Sequence, residues 1–409
     1  MSLTTVQIPH TQRLQWRQLY PVLCLVSLSI APAIFLGEGN RNLALIFFML
    51  ISPLFALKRS ISMEGLFLLS FAFSITVFPA IIYGNATRWS TVFYSLMFCV
   101  LFLSYDAQLR GGRLGLKTFL NIIRYIIFAY TIVLVIQQIC VALGLPIVNL
   151  SNYDPRHPWK LNSLSAEPSH SARIVALLML SHIIGSRILS RMDNTVRESV
   201  IQNMLLWLSF FWTILTMYSA TAIVMLVIVL LVYIQKNNIR NYVIFTLLSL
   251  FLILALPNEL TSRVMNLALG FLTLDYEQTL RADHSGSMRV VALLVLLNYV
   301  EVFSFEGLFG NGVDSVRFFL SDYIWGVREG TSGGGLMAVW YEYGFISFFL
   351  FVLFSLKATA ATSNPANFLI WFIMIFIAGV NSQMVWLTIV LLYTLNFYLL
   401  QAKRISRDE

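Results

Sequence analysis

The chain has 409 residues, of which 58% are hydrophobic and only 11% are charged, and its formal net charge is +8. Because a soluble domain carries about 25% charged residues, this composition excludes an ordinary soluble globular protein. Repeated apolar runs of roughly 20 residues match the thickness of a bilayer core. The sequence therefore predicts an all-α polytopic membrane protein, a single membrane domain over residues 1–409.

About twelve transmembrane helices are predicted. In chain order they lie at 19–36, 42–57, 63–83, 89–105, 118–146, 170–186, 200–217, 219–235, 242–256, 335–356, 367–382 and 384–401. The N-terminal stretch lacks the short apolar core and cleavage site of a signal peptide, so we expect the first span to act as an uncleaved insertion signal. Cys24, Cys99 and Cys140 lie inside apolar runs without disulfide or metal-ligand spacing, which is typical of buried apolar residues.

The Lys and Arg residues are divided unevenly between the two sides of the predicted membrane. An even number of spans places both termini on one side, which receives most of the cations and is therefore predicted to be cytoplasmic. The opposite side carries two longer connections, 147–170 and 257–334. Most of the remaining cations fall at these two connections, namely Arg156, Lys160, Arg173, Arg263, Arg281, Arg289, Arg317 and Arg328. This concentration favours an anionic ligand, and the alternative is pairing with nearby carboxylates or lipid phosphates.

Segment 287–303, inside the longer connection, is interrupted by Asn298 and Glu301 and is too short for a confident span. It is predicted as an amphipathic helix at the membrane interface. Its apolar stripe would comprise Val290, Leu293, Leu294, Leu297 and Val300. The three glycines of "EGLFGNG", Gly307, Gly310 and Gly312, permit tight turns whose N–H groups face an anion, and a compact exposed loop is the alternative.

A run of polar residues opens the predicted helix at 170–186. Pro168 suits the first turn of a helix and Glu167 suits its cap. His170 and Arg173 follow three residues apart on one helical face, which capping alone does not explain. A carboxylate, an imidazole and a guanidinium together can supply a general base and an anion clamp.

Several common chemistries have no support in the sequence. It contains neither a P-loop nor a dinucleotide fingerprint, so ATP and NAD chemistry is not expected. His157 has no second ligand at convincing spacing, so no metal site is predicted. The aromatic residues of the two connections favour anchoring at the headgroup level, with stacking on sugar rings as the alternative.

Three stretches resemble, in order, elements of Wzy-type polysaccharide polymerases of the O-antigen polymerase and ligase superfamily. "LNSLSAEPSHSARIVALLML" (161–180) resembles their glutamate-proline-serine element. "SMRVVALLVLLNYVEVFSFEGLFGNG" (287–312) resembles their arginine, amphipathic helix and glycine turn. "MAVWYEYGFISFFLFVLFSL" (337–356) resembles the glutamate-glycine start of a late span. Together these stretches cover roughly residues 150–355.

The resemblance implies a GT-C-like fold with two functional periplasmic loops, in a bacterial inner membrane with both termini cytoplasmic. It implies an inverting, metal-independent glycosyltransferase that needs no cofactor, because the lipid pyrophosphate is itself the activated leaving group. The partners would be undecaprenyl-pyrophosphate-linked oligosaccharide, membrane lipids and a chain-length regulator protein, with no nucleic acid. Glu167, His170 and Arg289 would be catalytic. The substrate and its pyrophosphate would be bound by Arg173, Arg156, Lys160, Arg281, Arg317, Arg328 and Tyr341.

Two departures and two alternatives accompany this interpretation. "GTSGGGLMAV" (330–339) lacks the histidine that O-antigen ligases carry before the span after the large loop, which favours a polymerase over a ligase. "LTMYSATAIV" (215–224) lacks the arginine often found around a middle span of the family. A ligase of the same superfamily, which joins finished glycan to lipid A-core, and a lipid-linked glycan flippase or transporter are the alternatives.

Overall fold

The computed structural model describes residues 16–31, 35–36, 41–56, 61–149, 157–192, 200–217, 219–233, 266, 269, 273, 284–324, 333–363 and 365–408. Extended structure in these ranges is limited to a two-residue antiparallel pair, Phe35–Leu36 with Arg41–Asn42, and a parallel bridge between Ala31 and Ser165. The rest of the regular structure is helical. The prediction of an all-α chain is therefore confirmed for these ranges, apart from that short pair.

The described ranges contain fifteen α-helices, numbered in chain order. The first nine are α1 (Trp16–Ser29), α2 (Leu43–Ile51), α3 (Pro53–Ala56), α4 (Met63–Ile82), α5 (Trp89–Arg110), α6 (Leu116–Ala142), α7 (Pro168–Met192), α8 (Val200–Thr216) and α9 (Ala220–Tyr233). The other six are α10 (His284–Tyr299), α11 (Phe305–Phe309), α12 (Ser315–Leu320), α13 (Gly335–Ala358), α14 (Pro365–Trp371) and α15 (Gln383–Asp408). The predicted span 242–256 lies outside the described residues.

Six helical segments in the described ranges are long and apolar enough to cross a membrane. They are α4, α5, α6, α7, α13 and the Gln383–Arg404 part of α15. Five apolar segments are shorter, at Leu19–Ser29, Leu43–Ala56, Ile201–Thr216, Ala222–Tyr233 and Pro365–Phe376. The chain thus has the character of a membrane protein, while the number of twelve spans and the GT-C-like arrangement stay predictions.

α7 is the central helix of the bundle. It packs against α6, α8, α9 and α15, and 78% of its apolar window is buried inside the protein. It starts at Pro168 and ends at Met192, so it is longer at both ends than the predicted span 170–186. Near its far end, the Arg187 guanidinium donates hydrogen bonds to the carbonyls of Val232 and Tyr233, at 2.8 and 2.7 Å, which satisfies the carbonyl end of α9.

α13 is broken near its N-terminus. Gly344 has φ 83° and ψ 167°, a conformation outside the helical region. Before the break, Tyr341 stacks on Phe319 of α12, with ring centroids 5.0 Å apart. After it, Phe351 packs against Phe71 of α4, also at 5.0 Å. The part of α13 before the break therefore packs against α12, and the part after it packs against α4.

α10 differs from the one-sided amphipathic helix that the sequence predicts for 287–303. It ends at Tyr299, and all residues from 291 to 296 are buried. Leu297, which was expected on the apolar stripe, is 50% exposed. The buried segment belongs to a second, smaller core shared with α12 and the start of α13, which includes Val316, Leu320 and Met337. Because a helix that is buried all round packs against protein on every side, neighbouring helices cover this segment on more than one face.

The predicted span 367–382 is not one continuous α-helix. α14 ends at Trp371 and is followed by a π-helical turn, Phe372–Phe376. The start of α13 lies directly against this turn, since a Cβ atom on Gly335 would come within 2.0 Å of the Phe376 carbonyl oxygen. The chain then reverses at Gly379, which has φ 80°. The predicted span 367–382 is therefore interrupted where its backbone contacts the start of α13.

Candidate functional site

The residues that lead into α7 are hydrogen-bonded to the middle of α6 and to the end of α1. Ser163 Oγ donates a hydrogen bond to the carbonyl of Tyr130 in α6 at 2.5 Å. The backbone N–H of Ala31, just beyond α1, donates to the carbonyl of Leu164 at 3.1 Å. These bonds hold the chain before Pro168 in place, so the first turn of α7 presents its side chains from a rigid base.

Glu167 and His170 form a pair on that first turn. The Oε2 atom of Glu167 lies 3.8 Å from the Nε2 atom of His170 and accepts a hydrogen bond from Ser169 Oγ at 3.2 Å. The side chains of His170 and Glu167 are 34% and 38% exposed. At this separation the two groups are close without a direct hydrogen bond; each can act as a general base, and the exposure leaves both within reach of a ligand.

Arg173 lies one turn further along α7 and is buried, with 7% of its surface exposed. Its Nε atom donates to the Ser169 carbonyl at 3.2 Å. Glu167 thus lies immediately before α7, and His170 and Arg173 follow at three-residue intervals on its first two turns. A guanidinium held in position inside a water-poor region stabilises negative charge more strongly than one in solvent.

The other residues predicted for the site are distributed along the chain. Lys160 lies in the loop before α7 and is half-buried. Arg317 lies on α12 and Tyr341 on α13. Arg289 lies on α10, and its side chain is outside the described part of the structure. Arg156, Arg281 and Arg328 lie outside the described residues altogether.

A second polar group joins the turn between α4 and α5 to the start of α12. Arg88 forms an ion pair with the carboxylate of Asp314 at 3.0 Å. Thr91 Oγ1 donates to the same carboxylate at 3.1 Å. Asp314 has φ 64° and immediately precedes α12. These contacts fix the short helix α12 onto the ends of two long apolar helices.

Glu342 of α13 is the buried centre of this second group, with 7% of its surface exposed. Its carboxylate is hydrogen-bonded by the backbone of Asp314 and Val316 at the start of α12, and it interacts electrostatically with Arg317. Arg317 also lies over the ring of Phe318, 4.7 Å from its centroid. Glu342 therefore takes the place of a side-chain cap for α12, and Arg317 supplies a nearby counter-charge.

The glycine turn 307–312 does not present its amides to an anion. The N–H groups of Asn311 and Gly312 donate to the carbonyls of Tyr341 and Glu342, at 2.7 and 3.2 Å. These carbonyls are available because α13 is broken at Gly344. A Cβ on Gly310 would come within 2.3 Å of the Glu342 carbonyl oxygen. The turn is therefore a close backbone contact with α13, and the predicted anion-facing arrangement is wrong at these amides.

Tyr83, immediately after α4, also contacts the glycine turn. Its hydroxyl donates to the Gly310 carbonyl at 2.6 Å. Burial and the neighbouring Glu306 carboxylate raise the pKa of Tyr83, so the phenol keeps the proton that this hydrogen bond requires.

A cavity of about 250 Å³ opens between α10, α11 and α13. Its lining comprises Tyr299, Val300, Glu301, Ser304, Glu306, Gly307, Asn311, Phe319, Trp340 and Tyr341. Tyr341, predicted as a substrate-binding residue, is thus on a cavity wall. Glu301 was used only as an interruption of the predicted segment 287–303, and neither Glu301 nor Glu306 was predicted as a site residue.

Both polar groups lie at the same end of the helical bundle. Ser95 of α5, one turn beyond Thr91, donates to Asn381 at 2.5 Å. Gln383, at the start of α15, donates in turn to the carbonyl of Ile30, beside the strand bridge to Ser165. These two hydrogen bonds, joined by the short backbone from Asn381 to Gln383, connect α5 with the end of α1 beside the loop that precedes α7. Convergence of the predicted cations on one cavity beside Glu167 stays a prediction.

Arg88, Asp314 and Glu342 were not predicted as one group. In the sequence, Arg88 lies between two apolar runs, Asp314 lies in the long connection, and Glu342 lies inside the predicted span 335–356. Their meeting depends on contacts between segments more than 200 positions apart, and no local pattern encodes such contacts. Within the described residues, no group of three or more His, Cys, Asp or Glu side chains has a geometry that would hold a metal ion.

Comparison with protein-family models, with curated proteins and with solved structures finds no match to this chain.

Proposed function

We propose that this protein is a membrane-embedded glycosyltransferase, a polysaccharide polymerase of the O-antigen type. It transfers a growing glycan from undecaprenyl pyrophosphate to a sugar hydroxyl of a lipid-linked repeat unit. It works in a bacterial inner membrane, with its termini in the cytoplasm and its reacting groups at the periplasmic side. The observation that carries the proposal is the exposed Glu167–His170 pair at the start of α7, with Arg173 buried one turn beyond it.

The pair supports the proposal because the reaction needs a base. The acceptor oxygen forms a bond to the anomeric carbon, while its proton passes to Glu167, with His170 as the alternative base. The bond from that carbon to the pyrophosphate oxygen breaks, and its electron pair leaves with the pyrophosphate. An in-line displacement of this kind inverts the anomeric configuration. The lipid pyrophosphate is the activated leaving group, so no nucleotide sugar is consumed.

Arg173 supports the proposal because negative charge develops on the departing pyrophosphate. A guanidinium binds phosphate oxygens through two parallel N–H donors, and its position is set by the Ser169 carbonyl. In this proposal Arg289 acts with Arg173 on the leaving group. Arg156, Lys160, Arg281, Arg317 and Arg328 hold the remaining charges of the carrier lipids.

One observation favours a second candidate, a flippase or transporter for lipid-linked glycan. Transporters often carry a charged group beside a broken helix in the membrane, and Glu342 lies two residues from the break at Gly344. However, the Glu342 carboxylate is already hydrogen-bonded by the backbone of Asp314 and Val316. This structural role accounts for the charge without a transported ligand, so we prefer the enzyme.

The experiment is incubation of the purified protein, in lipid nanodiscs, with undecaprenyl-pyrophosphate-linked repeat units as the only glycan. A polymerase lengthens the glycan. A ligase leaves it unchanged until lipid A-core is added, and a transporter leaves it unchanged in both cases while moving it across a vesicle membrane. Either of these two outcomes would overturn the proposal.

The variants Glu167→Gln, Arg289→Ala and Arg173→Gln are expected to lower the rate of lengthening by at least roughly 10²-fold. The matched control is Arg191→Gln, which removes an exposed guanidinium at the opposite end of α7 and is expected to leave lengthening unchanged. If Glu167→Gln polymerised at the wild-type rate, the base assignment would be wrong even with the activity established.

A further inference from the structure

The lining of the cavity between α10, α11 and α13 combines aromatic rings with carboxylates. Four aromatic side chains border it, Tyr299, Phe319, Trp340 and Tyr341, together with the carboxylates of Glu301 and Glu306. Among the residues that the structure describes, no Lys, Arg or His belongs to this lining. Aromatic walls with a few polar groups are typical of a small-molecule site.

The charge of this lining decides which ligands fit. The Glu301 and Glu306 side chains are exposed, and an ionised carboxylate accepts hydrogen bonds but donates none. Two carboxylates in such a lining repel phosphate and carboxylate groups. The nearby cation Arg317 lies over the ring of Phe318 and interacts electrostatically with Glu342. The cavity therefore selects a ligand rich in hydroxyl or ammonium donors.

The aromatic wall is held in fixed positions by its own packing. Tyr341 stacks on Phe319 with an interplanar angle of 23°, and Phe319 meets the ring of Tyr299 edge to face, with centroids 5.2 Å apart. The indole N–H of Trp340 donates to the Gly307 carbonyl at 3.0 Å. Rings fixed in this way contact a flat apolar ligand surface without further loss of side-chain entropy.

A sugar ring combines the two properties that this cavity selects. Its C–H groups form an apolar face, and its hydroxyl or amine groups are donors around the edge. A volume of about 250 Å³ lies below the ~300–1,000 Å³ of pockets for larger ligands, so it suits one or two sugar rings.

We propose that this cavity is a saccharide-binding subsite for sugars without an acid group, that is, neutral or amine-bearing sugars. The ring lies against the aromatic wall, and its hydroxyl or ammonium groups donate to Glu301 and Glu306. The bound sugar belongs to the lipid-linked repeat unit, a part of the inference that rests on the proposed function. The pyrophosphate of the same molecule lies outside this cavity, because the two carboxylates repel it.

The experiment measures binding of three probes, glucosamine, N-acetylglucosamine and glucuronic acid, to the full-length protein in nanodiscs by saturation-transfer NMR. The amine and the neutral sugar are expected to bind, and the acid to bind at least tenfold more weakly. In Glu301→Gln/Glu306→Gln, the affinity for glucosamine is expected to fall at least fivefold, and the discrimination against glucuronic acid to shrink. Asp322→Asn is the matched control, since it removes an exposed carboxylate outside the lining and should change none of the three.

A second variant tests the aromatic wall at an exposed position, where a substitution is expected to leave the fold intact. Tyr299 is 53% exposed at the end of α10, so Tyr299→Leu is expected to fold and to weaken all three probes together. Wild-type binding of glucuronic acid as tight as that of glucosamine would overturn the proposal, as would an absence of binding for all three. Such a result alongside normal glycan lengthening would leave the proposed function intact. Selective sugar binding without lengthening would support the subsite and reject the polymerase.

Discussion

The Glu167 carboxylate and the His170 imidazole lie 3.8 Å apart across the first turn of α7, and each is about one-third exposed. The backbone N–H of His170 also donates to the Glu167 carbonyl at 3.1 Å. Helix geometry therefore sets the separation of the two side chains, and the bonded loop before Pro168 sets where the pair points. Two groups positioned in this way are expected to work as a unit.

The first prediction concerns this unit. Glu167→Gln and His170→Asn are each expected to lower the initial rate of glycan lengthening by roughly 10²- to 10⁴-fold, the range for loss of a general acid–base group. The double variant should be only slightly slower than the slower single variant, because effects within one catalytic unit are not additive. The measurement is the initial rate with lipid-linked repeats, with Arg191→Gln as the control. Losses that simply multiply in the double variant would mean that the two residues act independently.

The second prediction concerns the close contact between the glycine turn and α13. A Cβ on Gly344 would come within 2.1 Å of the Leu308 carbonyl oxygen. Gly344→Ala is expected to destabilise the protein by about 2–5 kcal/mol, from overpacking and the left-handed backbone together. Gly144→Ala is the control, because Gly144 also has positive φ, 66°, but a Cβ added there would meet nothing within 4 Å. The Gly144→Ala variant should lose only about 1–2 kcal/mol of unfolding free energy. Thermal unfolding in detergent measures both, and equal losses would contradict the close contact.

The third prediction concerns Glu342 as the cap of α12. Glu342→Ala leaves the backbone amides of Asp314 and Val316 without their acceptor, at a cost of about 1–3 kcal/mol. Glu342→Gln keeps an acceptor oxygen and should cost less than half as much. The measurement is again the unfolding midpoint, combined with the rate of lengthening in nanodiscs. If the Gln variant were stable but inactive, Glu342 would act in the reaction as well as in capping.

The fourth prediction concerns orientation in the membrane. His157 lies in the loop before α7 and Arg191 lies near the far end of α7, and both are exposed. With the periplasmic side at His157, a membrane-impermeant maleimide should label His157→Cys in intact spheroplasts and Arg191→Cys only after permeabilisation. Cys140 is replaced by Ala in this background. Cys24 and Cys99 can remain, since they are 0% and 2% exposed. The reverse labelling pattern would invert the proposed topology.

The sequence predicts local features of this protein well. The span 63–83 matches α4, Met63–Ile82, because a single apolar run is preceded by Ser62, which accepts a hydrogen bond from the Gly65 amide at 3.0 Å. Glu167 and His170 lie 3.8 Å apart because three-residue spacing on one helix turn is itself a geometric constraint.

Features that depend on contacts between distant segments could not be predicted in this way. The π-helical turn at Phe372–Phe376 lies against Gly335, and Arg88 pairs with Asp314. The glycines of "EGLFGNG" looked like an anion-binding turn because their conformational freedom is local. The amides of Asn311 and Gly312 instead donate to carbonyls on α13, a contact that only the folded structure reveals.

The break in α13 also constrains the order in which the protein acquires its structure during synthesis. α11 and α12 contain five and six residues, too few to be stable as isolated helices in water. The acceptors for their neighbouring amides lie on Tyr341 and Glu342, which leave the ribosome later. The segment 305–320 is therefore expected to reach its final fold only after α13 has been synthesised and has taken its place in the protein.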